Sequence, residues 1–141
     1  MNGNEDFVLD ASVTMAWCFE DEANAYADAV LDSLASVTAL APAIWPLEIS
    51  NVLAVAERRK RIDKAGSIRF ISLLMQLPVI VGPESPQRVF AEILALAREH
   101  DLSTYDASYL DLAMRYGVAL ATQDGRLQKA ARQAGVQLYL R

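Results

Sequence analysis

Four acidic residues, far apart in the sequence, fall where predicted secondary-structure elements begin or end. They are Asp10, Glu48, Asp106 and Asp124. The first and the last come directly after short apolar runs that are typical of buried strands, and the other two come in the first turns of helices with apolar faces. In a parallel α/β sheet these positions lie along one edge, at the carboxyl ends of the strands. The sequence therefore predicts a cluster of carboxylates.

Each of the four acids also has an explanation that requires no function. Asp10 has the residue type of a helix N-cap, and Glu48 follows a proline that could start its helix, so that its charge would complement the helix dipole. Asp106 lies three residues after a serine, as in a capping box, and Asp124 precedes a glycine, as in many turns. The four together, however, would leave repelling charges partly out of water unless something compensated them.

A hard divalent cation is the simplest compensation for such a cluster. Mg²⁺ or Mn²⁺ prefers oxygen ligands and retains several water molecules. A metal site built only from carboxylates suggests phosphoryl chemistry, in which a metal-activated water attacks and the leaving oxygen is stabilised. Histidine-rich zinc sites, thiolate clusters and nucleotide-binding loops are excluded, because the chain has one histidine and one cysteine and its six glycines lack the required spacing.

The remaining composition is typical of a compact protein. The chain is 53% hydrophobic and 22% charged, and its 141 residues predict a single domain over residues 1–141. The acidic N-terminus lacks the basic residues of a secretory signal, which predicts a cytoplasmic location. The longest apolar stretch, 37–47, contains two prolines and is too short to span a bilayer. The net charge of −5 argues against electrostatic coating of nucleic acid but is compatible with a local basic patch.

The elements that must position the acids alternate between strands and helices. The predicted strands are 7–10, 38–41, 77–82, 118–121 and 136–140. The predicted helices are 13–19, 22–34, 44–61, 63–76, 86–99, 102–116 and 127–134. This alternation predicts a three-layer α/β/α fold with a mostly parallel central sheet. On its helix, Asp106 starts a packed stripe, whereas Asp111 points elsewhere and is predicted to be a solvated or second-tier acid.

Four segments around the acids carry a resemblance to a known family. They are VLDAS (8–12), PLEISNVL (46–53), STYDASYL (103–110) and ATQDGRL (121–127). In this order and at these spacings they resemble PIN-domain nucleases, and among these the VapC-type toxins of bacterial toxin-antitoxin pairs. The resemblance implies a PIN-like fold and makes the four acids the quartet that binds Mg²⁺ or Mn²⁺. It also implies three supporting polar residues near the metal, which are Ser12, Asn51 and Thr122.

The same resemblance implies a substrate and partners. It implies hydrolysis of single-stranded or structured RNA to a 3′-hydroxyl and a 5′-phosphate, a homodimer, and a small VapB-like antitoxin. RNA contact needs positive charge near the acidic edge, and Arg126, which follows Asp124 closely, and Lys129 are the leading candidates. Arg132 and the basic run 58–61 are further candidates, although such a run is typical of a solvated helix end.

Two other functions remain open from the residues alone. Asp10 could accept a phosphoryl group covalently, as in a phosphotransfer enzyme or a receiver-like domain. Alternatively, the apolar faces of the early helices, which carry Trp17, Phe19 and Tyr26, could bind an amphipathic segment of a partner without catalysis. Binding of a divalent cation separates the nuclease from the partner-binding module, and covalent trapping by a phosphate mimic identifies the phosphotransfer enzyme.

Overall fold

A parallel sheet of four short strands lies at the centre of residues 6–141, the part of the chain that the computed structural model describes. The strands are β1 (Phe7–Leu9), β2 (Ala39–Ala41), β3 (Val79–Val81) and β4 (Ala119–Ala121). They lie in the order β3-β2-β1-β4, and every neighbouring pair is parallel. Because β1 lies inside the sheet and is covered on both faces, all three of its residues are completely buried.

Helices connect the strands and complete a three-layer α/β/α arrangement, which confirms the predicted fold class. They are α1 (Ala11–Ala16), α2 (Ala25–Ser33), α3 (Ile44–Arg58), α4 (Lys64–Gln76), α5 (Pro86–Arg88), α6 (Leu94–His100), α7 (Thr104–Tyr116) and α8 (Gly125–Gln133). A short 3₁₀ helix covers Glu20–Glu22, and a π-helical turn, Val89–Ile93, joins α5 to α6. None of the helices within residues 6–141 is both long and apolar enough to cross a membrane.

The early helices differ from their predicted bounds. Helix α2 does not begin at residue 22, because the side chain of Asn24 accepts a hydrogen bond from the backbone of Ala27 at 2.9 Å and caps the helix there. The aromatic side chains of this region pack against the protein itself. The Trp17 indole donates a hydrogen bond to the backbone oxygen of Ala27 at 2.8 Å, Phe19 is buried, and Tyr26 is half-buried. The early helices therefore lack the exposed aromatic face that the partner-binding alternative requires.

Helix α3 ends at Arg58, the first residue of the basic run 58–61 that was predicted to belong to it. The chain leaves the helix after Arg58, and Lys60 adopts a left-handed conformation with φ 59°. Arg61 then turns back, so that its guanidinium lies 2.7 Å from Asp21 and 3.3 Å from Glu22. Because its charge is already paired, Arg61 is a poor candidate for a phosphate contact.

The last predicted strand, 136–140, does not form. Only Leu138 makes a bridge, which is parallel to Leu120 of β4, and Leu140 follows with a left-handed φ of 57°. The backbone oxygen of Tyr139 accepts a hydrogen bond from the Tyr26 hydroxyl at 2.8 Å instead of extending a ladder. The Tyr139 ring stacks on Phe7 with 3.8 Å between centroids, so this segment packs over β1 by its side chains.

Asp111 is buried, so the prediction of a solvated acid at this position is wrong, and the alternative of a second-tier acid remains. It is only 4% exposed, and its two oxygens accept hydrogen bonds from Arg88 at 2.6 Å and from Arg115 at 3.0 Å. Glu84 lies 3.5 Å and 3.2 Å from the same two arginines. This group of charges joins the loop after β3 and helix α5 to α7, the helix that carries Asp106.

Substitution Asp111→Ala is expected to destabilise the protein, because two arginines would lose the carboxylate that pairs with them in a buried setting. We expect the Tm to fall by about 5 °C in calorimetry. The exposed Asp32 on α2 offers a matched control, since Asp32→Ala removes the same group from solvent. Equal Tm values for the two variants would contradict this role of Asp111.

Candidate active site

Asp10 lies at the junction of β1 and α1 and is only 4% exposed. It occupies the N-cap position of α1, but its side chain makes no capping hydrogen bond. Its Oδ2 instead accepts hydrogen bonds from the Ser12 hydroxyl at 2.8 Å and from the Thr122 hydroxyl at 2.7 Å. The purely structural explanation of Asp10 as a helix cap therefore does not describe what its carboxylate does.

The two hydroxyl groups that hold Asp10 also tie β1 to the segment after β4. Thr122 is buried and its oxygen accepts a hydrogen bond from the backbone nitrogen of Asp124 at 3.0 Å. The oxygen of Ser12 accepts one from the backbone nitrogen of Gln123, also at 3.0 Å. Each hydroxyl donates a hydrogen bond to the carboxylate of Asp10 and accepts one from the backbone of the segment after β4. The carboxylate and the turn that carries Asp124 are therefore fixed relative to each other.

A second set of hydrogen bonds fixes α3 against the backbone of Asp10. The Trp45 indole donates to the Thr14 hydroxyl at 3.0 Å, and this hydroxyl donates to the backbone oxygen of Asp10 at 3.3 Å. Both side chains are buried. Because Trp45 lies one turn before Glu48, these contacts set the position of Glu48 relative to Asp10.

Glu48 lies deeper in its helix than the sequence predicts. Helix α3 begins at Ile44, two residues before the proline, so Glu48 is not in the first turn and the helix-dipole explanation loses its basis. The side chain is half-buried, and its Oε1 accepts a hydrogen bond from the hydroxyl of Tyr109 at 2.5 Å. Burial raises the pKa of Glu48, the bond from Tyr109 lowers it, and the charge of Asp106 raises it further.

Asp106 faces two of the other acids. Its backbone nitrogen is capped by the Ser103 hydroxyl at 3.0 Å, as the capping-box pattern predicts, and its carboxyl is half-buried. Burial, the charges of Asp10 and Asp124, and a hydrogen bond to Asp124 together raise the pKa of Asp106 to about 6. Asp124 also caps α8, because its Oδ1 accepts from the backbone nitrogen of Arg126 at 3.0 Å.

Each of the four acids thus lies within electrostatic reach of at least one other, and Asp106 interacts with all three of the rest. Burial is also the main reason why the pKa of Asp10 is raised, and Glu48 adds to it. Within the described residues, none of the four forms an ion pair with a basic side chain, whereas Asp111 on the same helix as Asp106 has two such partners. The cluster therefore carries negative charge that no side chain neutralises.

The donor atoms of this cluster fit a hard divalent cation. They are all carboxylate oxygens, the ligand type that Mg²⁺ and Mn²⁺ prefer, and they accept hydrogen bonds from three hydroxyls, those of Ser12, Thr122 and Tyr109. As they stand, no three Asp, Glu, His or Cys side chains among residues 6–141 form a group that could hold a metal ion. The cluster therefore has the donor chemistry of a metal centre, but its carboxylates are not gathered as the ligands of one ion in this structure.

The other predicted site residues fall into two groups. Ser12 and Thr122 touch Asp10, whereas Asn51 is exposed on α3 and no hydrogen bond joins it to the four acids in the described structure. Arg126 and Lys129 are exposed on α8, directly after Asp124. An open depression of about 410 Å³ borders the site, lined by residues that include Ser12 and Glu48.

Tyr109, Trp45 and Thr14 are site residues that the sequence does not reveal. Tyr109 is completely buried one turn after Asp106, and the only available signal is that spacing. Burial raises the pKa of Tyr109, and the neighbouring charges of Asp10 and Glu48 raise it further, so the phenol remains a hydrogen-bond donor at neutral pH. The links to Glu48 and between Trp45 and Thr14 join residues 61 and 31 positions apart, which no local pattern reports.

The fold and the site together define a parallel α/β protein with an acidic centre at the carboxyl edge of its sheet. The family model of the PIN domain matches residues 7–133, so the chain belongs to the PIN-domain family. The resemblance of its four segments to PIN-domain nucleases is thereby confirmed at the level of the domain.

Two solved structures are similar to this chain. PAE2754 from Pyrobaculum aerophilum is 27% identical, with a TM-score of 0.67 over 89% of this chain and 78% of that one. FitAcB from Neisseria gonorrhoeae is 20% identical, with a TM-score of 0.63 over 94% of this chain and 96% of that one, which supports the fold alone. A comparison with curated proteins gives no match.

The raised pKa of Asp106 predicts how stability depends on pH when no divalent cation is present. The folded protein holds this proton more tightly than the unfolded chain, so the free energy of unfolding falls as the pH rises from about 4 to above 6. Asp106→Asn removes this loss, and at pH 7 in EDTA we expect it to stabilise the fold by about 1 kcal/mol, reduced for a half-buried group.

Urea denaturation at pH 7 and at pH 4 tests this expectation, because the advantage of Asp106→Asn should disappear at pH 4. Glu20→Gln is the control, since Glu20 is exposed on the 3₁₀ helix and is not one of the four clustered acids. If the free energy of unfolding of Asp106→Asn differed from that of the native protein by the same amount at pH 7 and at pH 4, the charges near Asp106 would not be raising its pKa.

Proposed function

We propose that this protein is a metal-dependent endoribonuclease of the VapC type. PIN domains are typically metal-dependent nucleases, and the chain belongs to that family. The observation that carries the proposal is the meeting of four acids from four distant segments at one sheet edge without a basic partner among the described side chains. A cluster of this kind is costly unless a cation completes it.

In this proposal Asp10, Glu48 and Asp106 hold one Mg²⁺ or Mn²⁺, and Asp124 helps to hold a second ion or orients the attacking water. When bound, the cation would lower the pKa of a water and stabilise the leaving oxygen of the phosphodiester. Ser12 and Thr122 orient Asp10, because both hydroxyls donate to the same oxygen and leave the other one available. By the VapC-type resemblance, the products carry a 3′-hydroxyl and a 5′-phosphate.

Exposed basic residues on α8 support a substrate with a phosphate backbone, and the VapC-type resemblance makes this substrate RNA. Arg126 and Lys129 follow Asp124 within two turns of the helix and are exposed. The net charge of −5 leaves the remainder of the chain unsuited to general electrostatic binding, so we assign phosphate contacts to this helix. The phosphotransfer alternative has less support, since no basic side chain pairs with Asp10 among the described residues.

The proposed partners follow from the same resemblance. They are a VapB-like antitoxin that neutralises the nuclease and a second copy of this chain in a homodimer, in the cytoplasm. Support from the surface comes from large apolar side chains left in solvent, since Phe90 is 75% exposed, Leu47 67% and Tyr105 58%. Leu47 and Tyr105 line one depression together with Val89 and Ile93, and exposed apolar side chains grouped in this way are typical of surfaces that a partner covers.

Substitution Asp10→Asn tests the proposed chemistry. The amide oxygen still accepts the hydrogen bonds from Ser12 and Thr122, so we expect the fold to be retained. Loss of the charge of a direct metal ligand should reduce Mg²⁺-dependent RNA cleavage by about a hundredfold or more. Cleavage is measured with and without EDTA, and growth arrest on expression is measured in parallel, with Asp32→Asn as the control. Undiminished cleavage by Asp10→Asn would refute the assignment.

Salt titration of RNA binding tests the role of α8. The RNA association constant is measured at several salt concentrations in the Asp10→Asn background, which prevents cleavage. The slope of its logarithm against the logarithm of the salt concentration should become shallower by about 0.7 for each of Arg126→Ala and Lys129→Ala. Arg69→Ala, which removes an exposed arginine from α4, should leave the slope unchanged. An identical slope for all of these proteins would exclude the proposed contacts.

A further inference from the structure

Tyr109 is a buried polar side chain whose hydroxyl points at a candidate metal ligand. It lies on α7, is completely buried, and donates its hydroxyl proton to Oε1 of Glu48 on α3 at 2.5 Å. A buried phenol needs an acceptor, and the carboxylate of Glu48 is its hydrogen-bond partner in the described structure. The contact joins two helices through the candidate site.

The tyrosine is held on a rigid element. Helix α7 is capped by Ser103 at its start, and Leu110 and Ala113 on its packed side are completely buried, like Tyr109 itself. The same helix carries Asp106 one turn earlier. One packed helix therefore supplies a candidate ligand directly and fixes a second one, Glu48, through a hydrogen bond.

Glu48 needs such a contact more than Asp10 or Asp124 does. Asp10 is held by two hydroxyls, and Asp124 is held as a helix cap, but Glu48 has a longer side chain and is half-buried beside an open depression. Without a hydrogen bond its carboxylate would move among several rotamers. The bond from Tyr109 restrains Oε1, and no hydrogen bond among the described residues engages Oε2.

We propose that Tyr109 is a positioning residue, whose hydroxyl orients the carboxylate of Glu48 for divalent-cation binding. The proposal rests on the proposed nuclease function. Removal of the hydroxyl should weaken Mn²⁺ binding, because partners that orient a ligand typically contribute about tenfold or more to metal affinity. A tyrosine that only fills the core would affect stability instead and leave metal affinity unchanged.

The test measures Mn²⁺ affinity by calorimetry for Tyr109→Phe, and urea denaturation in EDTA shows that the variant is folded. Tyr116→Phe is the matched control, because it removes the same hydroxyl from an exposed tyrosine on the same helix. We expect about a tenfold weaker affinity for Tyr109→Phe and no change for Tyr116→Phe. In RNA cleavage at saturating Mn²⁺, KM for RNA should remain unchanged.

A double-mutant cycle adds a second measurement. In a Glu48→Gln background the phenol no longer orients a metal-binding carboxylate, so Tyr109→Phe should cause no further loss of Mn²⁺ affinity. Native Mn²⁺ affinity in a folded Tyr109→Phe protein, or equal losses in both backgrounds, would overturn the positioning role while the nuclease stands. Absence of Mn²⁺ binding by the unsubstituted protein would overturn both proposals.

Discussion

Unbalanced negative charge at one edge of the sheet is the constraint on which the site depends. Parallel strands must all present their carboxyl ends on the same side, so acids placed after β1 and β4 meet there whatever the sequence between them. The rest of the described chain holds these carboxylates close together, and no basic side chain forms an ion pair with them. Asp111 shows the contrast, since two arginines neutralise an acid on the same helix as Asp106.

Hydroxyl groups, and not basic side chains, hold the candidate ligands in place in the described structure. Ser12 and Thr122 hold Asp10, Ser103 caps the turn that carries Asp106, and Tyr109 holds Glu48. A neutral donor orients a carboxylate and partly stabilises its charge, yet leaves it able to attract a metal. An arginine at the same place would pair with the acid and compete with the ion.

The sequence predicts this architecture well wherever a local pattern carries the information. Apolar runs locate β1 to β4. The predicted start of α2 and the predicted end of α3 are wrong, because the Asn24 cap and the left-handed Lys60 override the helical spacing. Tertiary contacts are different. The link between Tyr109 and Glu48, the burial of Asp111, and the replacement of the last strand by a stacked Tyr139 depend on which segments meet, and spacing along one segment does not report that.

The hydrogen bond between Thr122 and Asp10 spans 112 positions of the chain. During translation Asp10 is therefore synthesised long before Thr122, and β1 cannot pair with β4 until late in synthesis. A nascent chain cannot assemble the acidic centre while it is still short. The topology thus delays assembly of the acidic centre until most of the polypeptide has left the ribosome.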